Sequence, residues 1–324
     1  MLVIGIESSA HTFGVGIVDG ERIIANEKSS YNVGTWGMIP SKVAEFHISN
    51  ARATLERAVE RAGIDLEEIE GVGYTMGPGI GPCLQVGELT AKTIAAKLNI
   101  DIVPVHHGIA HIEIAKKFAK LKAPIALYVS GGNSQILKLV EKPTKHYAVL
   151  GETFDIGVGN MLDNFARSLK LNPAWGSSVA KLAEGGKYIP LPYTVKGTDF
   201  AFTGLLTSAV EKIGKADPKD IAFSLQETAF SMLCEATERS LLLTNSRELC
   251  VCGGVAQSKR LKEMLSDVAK ENGARFGYAP DEFNADNGAM IAYAAEKLIE
   301  KGISVPVKKC GIEQKYRIDR GLVW

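Results

Sequence analysis

The sequence predicts an α/β protein of two lobes built from a repeated unit, and two observations carry that expectation. The first is order. Segments with strand-like alternation and segments with helical periodicity succeed one another along the chain, and the succession begun at the N-terminus restarts after Pro124. The second is length. A chain of 324 residues is too long for one ordinary core and suits two domains of roughly 150 residues each.

The elements follow in order. "LVIGIESS" and "TFGVGIVDG" read as strands joined by a polar turn, and "RIIANEKSS" as a third strand. Apolar spacing predicts a helix over about 41–62, then the strand "GVGYT", the glycine loop "MGPGIGP", the helix "LQVGELTAKTIAAKL", the strand "DIVPV" and a helix beginning in "HHGIAHIEI". The second half opens on "IALYVSGGNSQILKLV", two strands around a Gly/Ser turn, followed by the strand "HYAVLGE" and a helix over about 156–169. An irregular Gly- and Pro-rich stretch over 171–204 comes next, and then a long helix over about 219–243. The strand "ELCVCGGV", the helix "QSKRLKEMLSDVAKENG", the strand "RFGYA" and the helix "ADNGAMIAYAAEKLIEKG" complete the repeat.

The expected division is a first lobe over 1–123 and a second over 124–291 carrying the 171–204 insertion, with residues 292–324 packing back on the first lobe. Lobes of this kind face one another across a cleft into which strand-end Gly/Ser turns point, and ligands bind there because glycine permits close backbone approach. The layout matches the duplicated architecture of actin, the sugar kinases and the heat-shock ATPases. Architecture alone does not fix an activity.

Composition narrows the classes. The chain is 46% hydrophobic and carries 37 basic and 37 acidic residues, so no global charge advertises nucleic acid, although a local basic patch is compatible with that balance. The apolar opening runs into polar residues without a basic leader or cleavage site, and no apolar run approaches the roughly 20 residues of a membrane span. Five cysteines without a CxxC pair argue against a disulfide framework or a structural zinc site. A cytoplasmic location is expected, with no membrane partner.

Several segments are candidates for chemistry, each with a plainer reading beside it. His107 and His111 lie one helical turn apart and could share an ion; they could equally be surface or core histidines. The intervening "GIA" lacks the glutamate of HExxH, which removes a zincin-type peptidase. "MGPGIGP" sits between strand and helix as phosphate loops do, but it lacks the GK[ST] ending and reads better as tight-turn glycines. The turns "YVSGGNSQ" (128–135) and "CGGV" (252–255) occupy corresponding places and would bracket a phosphate. Asp286 in "NADNGAM" is either a helix-capping aspartate or a third ligand for the histidine pair. Cys250 and Cys252 alternate on an apolar strand and read as core.

Taken in one order, "GIESSAHTFGVGIV", "GPGIGP", "HHGIAHIEI", "LYVSGGNSQ", "GETFDIGVGN", "LPYTVKGTDFAFTGLL", "SLQETAFSML", "CGGVAQSKRL" and "DNGAMIAY" cover nearly the whole chain. They resemble the tRNA N6-adenosine threonylcarbamoyltransferase family, formerly called O-sialoglycoprotein endopeptidase, and the "GLVW" ending is similar to its archaeal branch. The resemblance implies transfer of a threonylcarbamoyl group from threonylcarbamoyl-AMP to N6 of the adenosine beside the anticodon in tRNAs reading A-starting codons. It further implies a KEOPS complex whose other subunits include a small protein kinase and a dimerising subunit.

By the same resemblance, one divalent metal, iron or zinc, is held by His107, His111, Tyr128 and Asp286. An adenine nucleotide, threonylcarbamoyl-AMP or ATP, meets Tyr128, Val129, Ser130, Gly131, Gly132, Asp163, Gly176 and Ser258. Nitrogen and oxygen ligands suit a borderline metal that polarises a mixed anhydride, Ser-Gly-Gly amides suit a phosphate, and a carboxylate suits ribose hydroxyls. No residue is singled out as the general base for the amine. Four positions depart from the family pattern: Trp175 and Ala180 stand where it has glycine and glutamate, Ser258 where it has asparagine, and Phe46 where it has the first of two histidines. Trp175, Ala180 and Ser258 motivate an alternative reading as a non-catalytic paralogue, a metal-binding scaffold or regulator. A small-molecule kinase fits less well, having little use for an imidazole pair.

Overall fold

The computed structural model of the chain describes residues 1–32 and 38–324. They form two compact units: residues 1–114, 140–147 and 285–324 make the first, and residues 115–139 and 148–284 the second. Asp286, which the sequence reading set in the second lobe, falls in the first unit.

The first unit is built on β1 (Leu2–Glu7), β2 (Thr12–Asp19) and β3 (Arg22–Ser30), followed by α1 (Pro40–Ala62), β4 (Gly71–Gly77), α2 (Gly81–Leu98), β5 (Ile102–His106) and the start of α3 (His107–Ala119). The strands order β3-β2-β1-β4-β5, with β1–β2 and β2–β3 antiparallel and β1–β4 and β4–β5 parallel. Ile4, Ile6, Phe13, Val15, Val72, Tyr74 and Ile94 fill its core. Each such fully buried aliphatic or aromatic side chain contributes about 1.5–3 kcal/mol.

The second unit repeats the plan. Its strands are β6 (Ile125–Val129) and β7 (Ser134–Val140) with β8 (His146–Glu152), after which come α4 (Val158–Ser168), α5 (Gly176–Leu182), the short pair β9 (Val195–Lys196) and β10 (Asp199–Phe200), α6 (Thr203–Glu211) and α7 (Pro218–Thr244). β11 (Glu248–Cys252), α8 (Lys259–Glu271), β12 (Arg275–Gly277) and α9 (Asp281–Asn284) close it. The sheet order β12-β11-β6-β7-β8 is the first sheet's order read backwards, with the same antiparallel β6–β7 and parallel β6–β11 and β11–β12 pairings. The duplicated α/β plan expected from the sequence is therefore present. The stretch expected to be irregular differs: it holds α5 and the β9–β10 pair and runs into α6, each too short for a periodic signal to stand out from the surrounding Gly and Pro.

One last helix, α10 (Gly288–Ile299), belongs to the first unit and lies across β1, β2 and β4. It comes close because the facing strand positions are glycines. A Cβ on Gly16 would stand 2.1 Å from Ala289 N, one on Gly5 2.1 Å from Ala292 N, and one on Gly288 2.1 Å from Gly16 N. Helix and sheet thus touch backbone to backbone.

The atoms facing Gly5, Gly14, Gly16 and Gly288 are backbone, not side-chain tips that could move aside. Gly16→Ala is expected to destabilise the protein by about 1–3 kcal/mol or more in urea unfolding. Gly204→Ala, where a Cβ meets nothing within 4 Å, is the control and should change stability by less than about 1 kcal/mol.

Candidate metal centre

The histidine stretch begins where β5 passes directly into α3. His106 performs the junction: its Nδ1 accepts from the backbone N–H groups of Gly108 (3.1 Å) and Ile109 (3.3 Å), donors that a helix start otherwise leaves unsatisfied. Its Nε2 donates to the Tyr316 carbonyl at 3.1 Å, and its ring lies 4.8 Å from the Tyr316 ring. Burial pushes the His106 pKa down to about 3, which keeps the ring neutral and Nδ1 an acceptor. The first turn of α3 is thereby anchored to residues more than two hundred positions further along.

On that helix, His107 and His111 lie one turn apart and meet edge to face, with ring centroids 4.6 Å apart and planes at 87°. Asp286 arrives from the residues preceding α10. Its Oδ1 lies 3.3 Å from His111 Nε2 and 3.6 Å from His107 Nε2, and these three side chains form a cluster whose donor atoms all lie within 4.8 Å of one another. The capping role that the sequence left open for Asp286 is taken by Asn287, whose side chain accepts from Met290 N at 2.9 Å. Two imidazole nitrogens and a carboxylate oxygen at about 2.0–2.2 Å from a tetrahedral ion stand roughly 3.4 Å from one another, so this donor set and its spacing fit a borderline divalent metal.

Behind His107 lies a residue that the sequence reading passed over. Glu7, at the end of β1, is fully buried. Its Oε2 accepts from His107 Nδ1 (2.9 Å) and from the Thr75 hydroxyl (2.7 Å), and its Oε1 accepts from Ser9 N (2.6 Å). Burial alone would raise the Glu7 pKa, but the charge and hydrogen bond of His107 outweigh it and hold the carboxylate below its usual range. Burial likewise opposes a charge on His107, yet Glu7 and Asp286 push its pKa up to about 9. Burial lowers the pKa of His111, and the two imidazoles lower that of Asp286 against its own desolvation. A signal for Glu7 was available: an acid in "LVIGIESS" ends an otherwise apolar strand, and buried acids need partners.

The other candidates lie in the second unit. Tyr128 and Val129 end β6, and the Ser130–Gly131–Gly132 turn follows. This turn sits on the start of α4: Gly159 N donates to Ser130 O (3.2 Å), Asn160 N donates to Gly131 O (3.0 Å), and a Cβ on Gly157 would stand 2.4 Å from Gly131 O. Asp163, one turn along α4, accepts from Gly176 N at 2.7 Å, which joins two of the predicted residues directly. Trp175 occupies the N-cap position of α5 beside them. Gly253, at φ +93°, places the second turn against Val129, since a Cβ there would stand 2.4 Å from Val129 O. Ser258 caps α8. Within this unit the two Gly/Ser turns are therefore neighbours.

The loop "MGPGIGP" resolves toward tight packing. A Cβ on Gly79 would stand 2.7 Å from Ser9 O, and one on Gly77 1.9 Å from Glu313 O. Cys250 and Cys252 are buried in β11, as read. Among the described residues no helix is long and apolar enough to cross a membrane.

A family model described as tRNA N6-adenosine threonylcarbamoyltransferase matches residues 21–293. A protein of that name from Thermococcus sibiricus is 42% identical over 98% of each chain. Its namesake from Thermococcus kodakarensis is 43% identical over 100% of both. Among solved structures, T. kodakarensis HypF superposes with a TM-score of 0.61 at 17% identity, covering 93% of this chain and 48% of that one. A ROK family glucokinase from Streptomyces griseus superposes with a TM-score of 0.50 at 13% identity, covering 92% and 100%. These structural likenesses carry the fold, the duplicated architecture anticipated from the order of elements.

The electrostatics of the cluster set a pH dependence. Below about pH 9 a proton on His107 would have to leave before Nε2 could coordinate a metal, whereas His111 is neutral and Asp286 ionised at pH 7. Zinc uptake by metal-free protein at pH 7 should therefore release close to one proton, with the apparent affinity rising about tenfold per pH unit and levelling above about pH 9. Calorimetry in two buffers of different ionisation enthalpy measures this; release near zero would mean that His107 is already neutral. For the metal-free fold the sign reverses: the raised His107 pKa contributes stability that is complete below about 6.5 and lost as pH rises through about 9.

Proposed function

The chain belongs to the tRNA N6-adenosine threonylcarbamoyltransferase family, and from that premise we propose that it carries the threonylcarbamoyl group of threonylcarbamoyl-AMP to N6 of the adenosine beside the anticodon in tRNAs reading A-starting codons. It is an acyltransferase that modifies tRNA. The non-catalytic alternative has no support, since relatives bearing the transferase name align over essentially the full chain. The further assignments of metal, nucleotide and partners are our reading.

One observation carries it: two imidazoles on one helix turn and a carboxylate 175 residues away converge at the spacing of ligands on a single ion. His107, His111 and Asp286 would hold one divalent metal, iron or zinc, with Tyr128 as a fourth ligand. Such a metal supplies Lewis acidity toward the mixed anhydride or its phosphate. In the second unit, the Ser130–Gly131–Gly132 turn and the Gly253–Gly254 turn would receive the phosphate, and Asp163, Gly176, Val129 and Ser258 the nucleoside. Gly132 and Gly254 suit such a role because nothing stands within 4 Å of where a Cβ would be.

The transfer itself is an acyl substitution. The adenosine N6 attacks the carbamoyl carbon, the carbon–oxygen bond to phosphate breaks, AMP departs and N6 loses a proton. Backbone amides directed at that phosphate stabilise the departing charge. A chain of zero net charge offers no general attraction to tRNA, which favours partners that supply it. We assign those partners to a KEOPS-type complex with a small protein kinase and a dimerising subunit, acting in the cytoplasm.

The test combines the chain with unmodified tRNA, labelled threonine, bicarbonate, ATP, the synthase that makes threonylcarbamoyl-AMP, and the KEOPS partners. Label should enter tRNA and fall by about 100-fold or more with Asp286→Ala; undiminished transfer by that variant would remove the metal from the reaction. Asp163→Ala should weaken adenine-nucleotide binding about 10- to 100-fold in equilibrium titration, and equal binding would move the nucleoside elsewhere.

A further inference from the structure

We propose that Glu7 is a positioning residue for the metal centre: it holds His107 with Nδ1 protonated and Nε2 turned toward His111 and Asp286. The inference rests on the metal reading above and goes beyond it by assigning a residue outside the ligand set.

The geometry decides what Glu7 can be. Its two oxygens receive three donors, Ser9 N on Oε1 and both Thr75 Oγ1 and His107 Nδ1 on Oε2. Its oxygens do not belong to the cluster of mutually close donor atoms formed by His107, His111 and Asp286. Glu7 therefore stands behind a ligand and is not one. A neutral imidazole carries one N–H, so when Nδ1 donates to a carboxylate the lone pair must lie on Nε2. That nitrogen is the one 3.6 Å from Asp286 Oδ1. The hydroxyl of Ser9, 3.3 Å from the same Nδ1, adds a second contact on the side away from the ligands.

The chain also invests in keeping Glu7 in place. A fully buried carboxylate costs several kcal/mol to desolvate and persists only where its oxygens are satisfied. Here β1 delivers it, β4 supplies the Thr75 hydroxyl alongside, and the polar turn after β1 folds Ser9 N back onto it. Any acceptor at Nδ1 would orient the imidazole; an anionic one also raises its basicity as a ligand.

Glu7→Gln keeps the shape and removes the charge. Zinc affinity, read by chelator competition on the metal-free 324-residue chain, should fall about 10- to 100-fold while the far-UV spectrum stays unchanged. Cobalt substituted into the site reports the same change as a shifted visible band. Thr75→Val, which removes a hydroxyl holding Oε2 and leaves the charge, should weaken zinc in the same direction by a smaller factor, and it serves if the first variant does not fold. A purely structural Glu7 would instead lower the melting temperature and leave zinc affinity within about twofold of the parent, and that result overturns the inference. If the parent chain takes up no zinc, the metal reading fails as well; if parent and variants bind alike, only the inference does.

Discussion

The structure depends most on a seam of glycines. Gly5, Gly14 and Gly16 on β1 and β2 face Gly288 and Ala289 at the start of α10 so closely that no Cβ fits between them. Helix and strand backbones in ordinary contact are separated by side chains, and interaxial distances follow from their size. Removing those side chains draws the first turn of α10 down onto the sheet. Asp286, two residues before that helix, is thereby brought to the plane where β1 and β5 end and α3 begins. Neither imidazole could reach it if α10 stood one side chain further out.

The charges at this junction alternate. Glu7 is negative, His107 positive in the absence of metal, and Asp286 negative, all largely withdrawn from water. Two like charges so close would be unfavourable in a low dielectric; the imidazolium between them converts repulsion into two attractions. The arrangement keeps the donor atoms in place before any ion arrives. A metal bound there would replace one proton and inherit its partners, with little reorganisation.

How much of this could be read from the sequence divides along physical lines. Strands and long helices were legible, because alternation and 3.6-residue spacing are local: the expected helix over 219–243 is Pro218–Thr244, and "HYAVLGE" is β8 itself. The duplicated plan followed from the order of elements, while the strand order within each sheet came from the structure. The short elements between 171 and 211 were hidden because helices of 7 and 9 residues and two-residue strands are too brief for a period to stand out. The histidine pair was legible as a spacing. Asp286 was legible only as two alternatives; Asn287 takes the capping one, and Asp286 lies beside the two imidazoles. Glu7 and His106 escaped because their importance lies in what they face, Thr75 and His107 for one and residue 316 for the other, and such pairings across 68 to 210 positions leave no trace in local pattern. Tyr128 and the Gly/Ser turns form a coherent group in the second unit, where Asp163 meets Gly176; the resemblance named them and packing gathers them.

The bond from His106 to the Tyr316 carbonyl has a consequence for the order of events during synthesis. Ribosomes add about 5–20 residues per second. Once residue 106 has been added, the 210 positions to Tyr316 occupy roughly 10–40 s, during which the N-terminal end of α3 lacks its anchor and Asp286 is for the most part not yet made. The first unit is closed by residues 285–324, so it cannot complete itself while the second unit, lying between in the chain, is being translated. The emerging chain thus carries its two histidines without their carboxylate partner for most of its elongation. A metal held by all three side chains would accordingly be captured late, once residue 286 has been made.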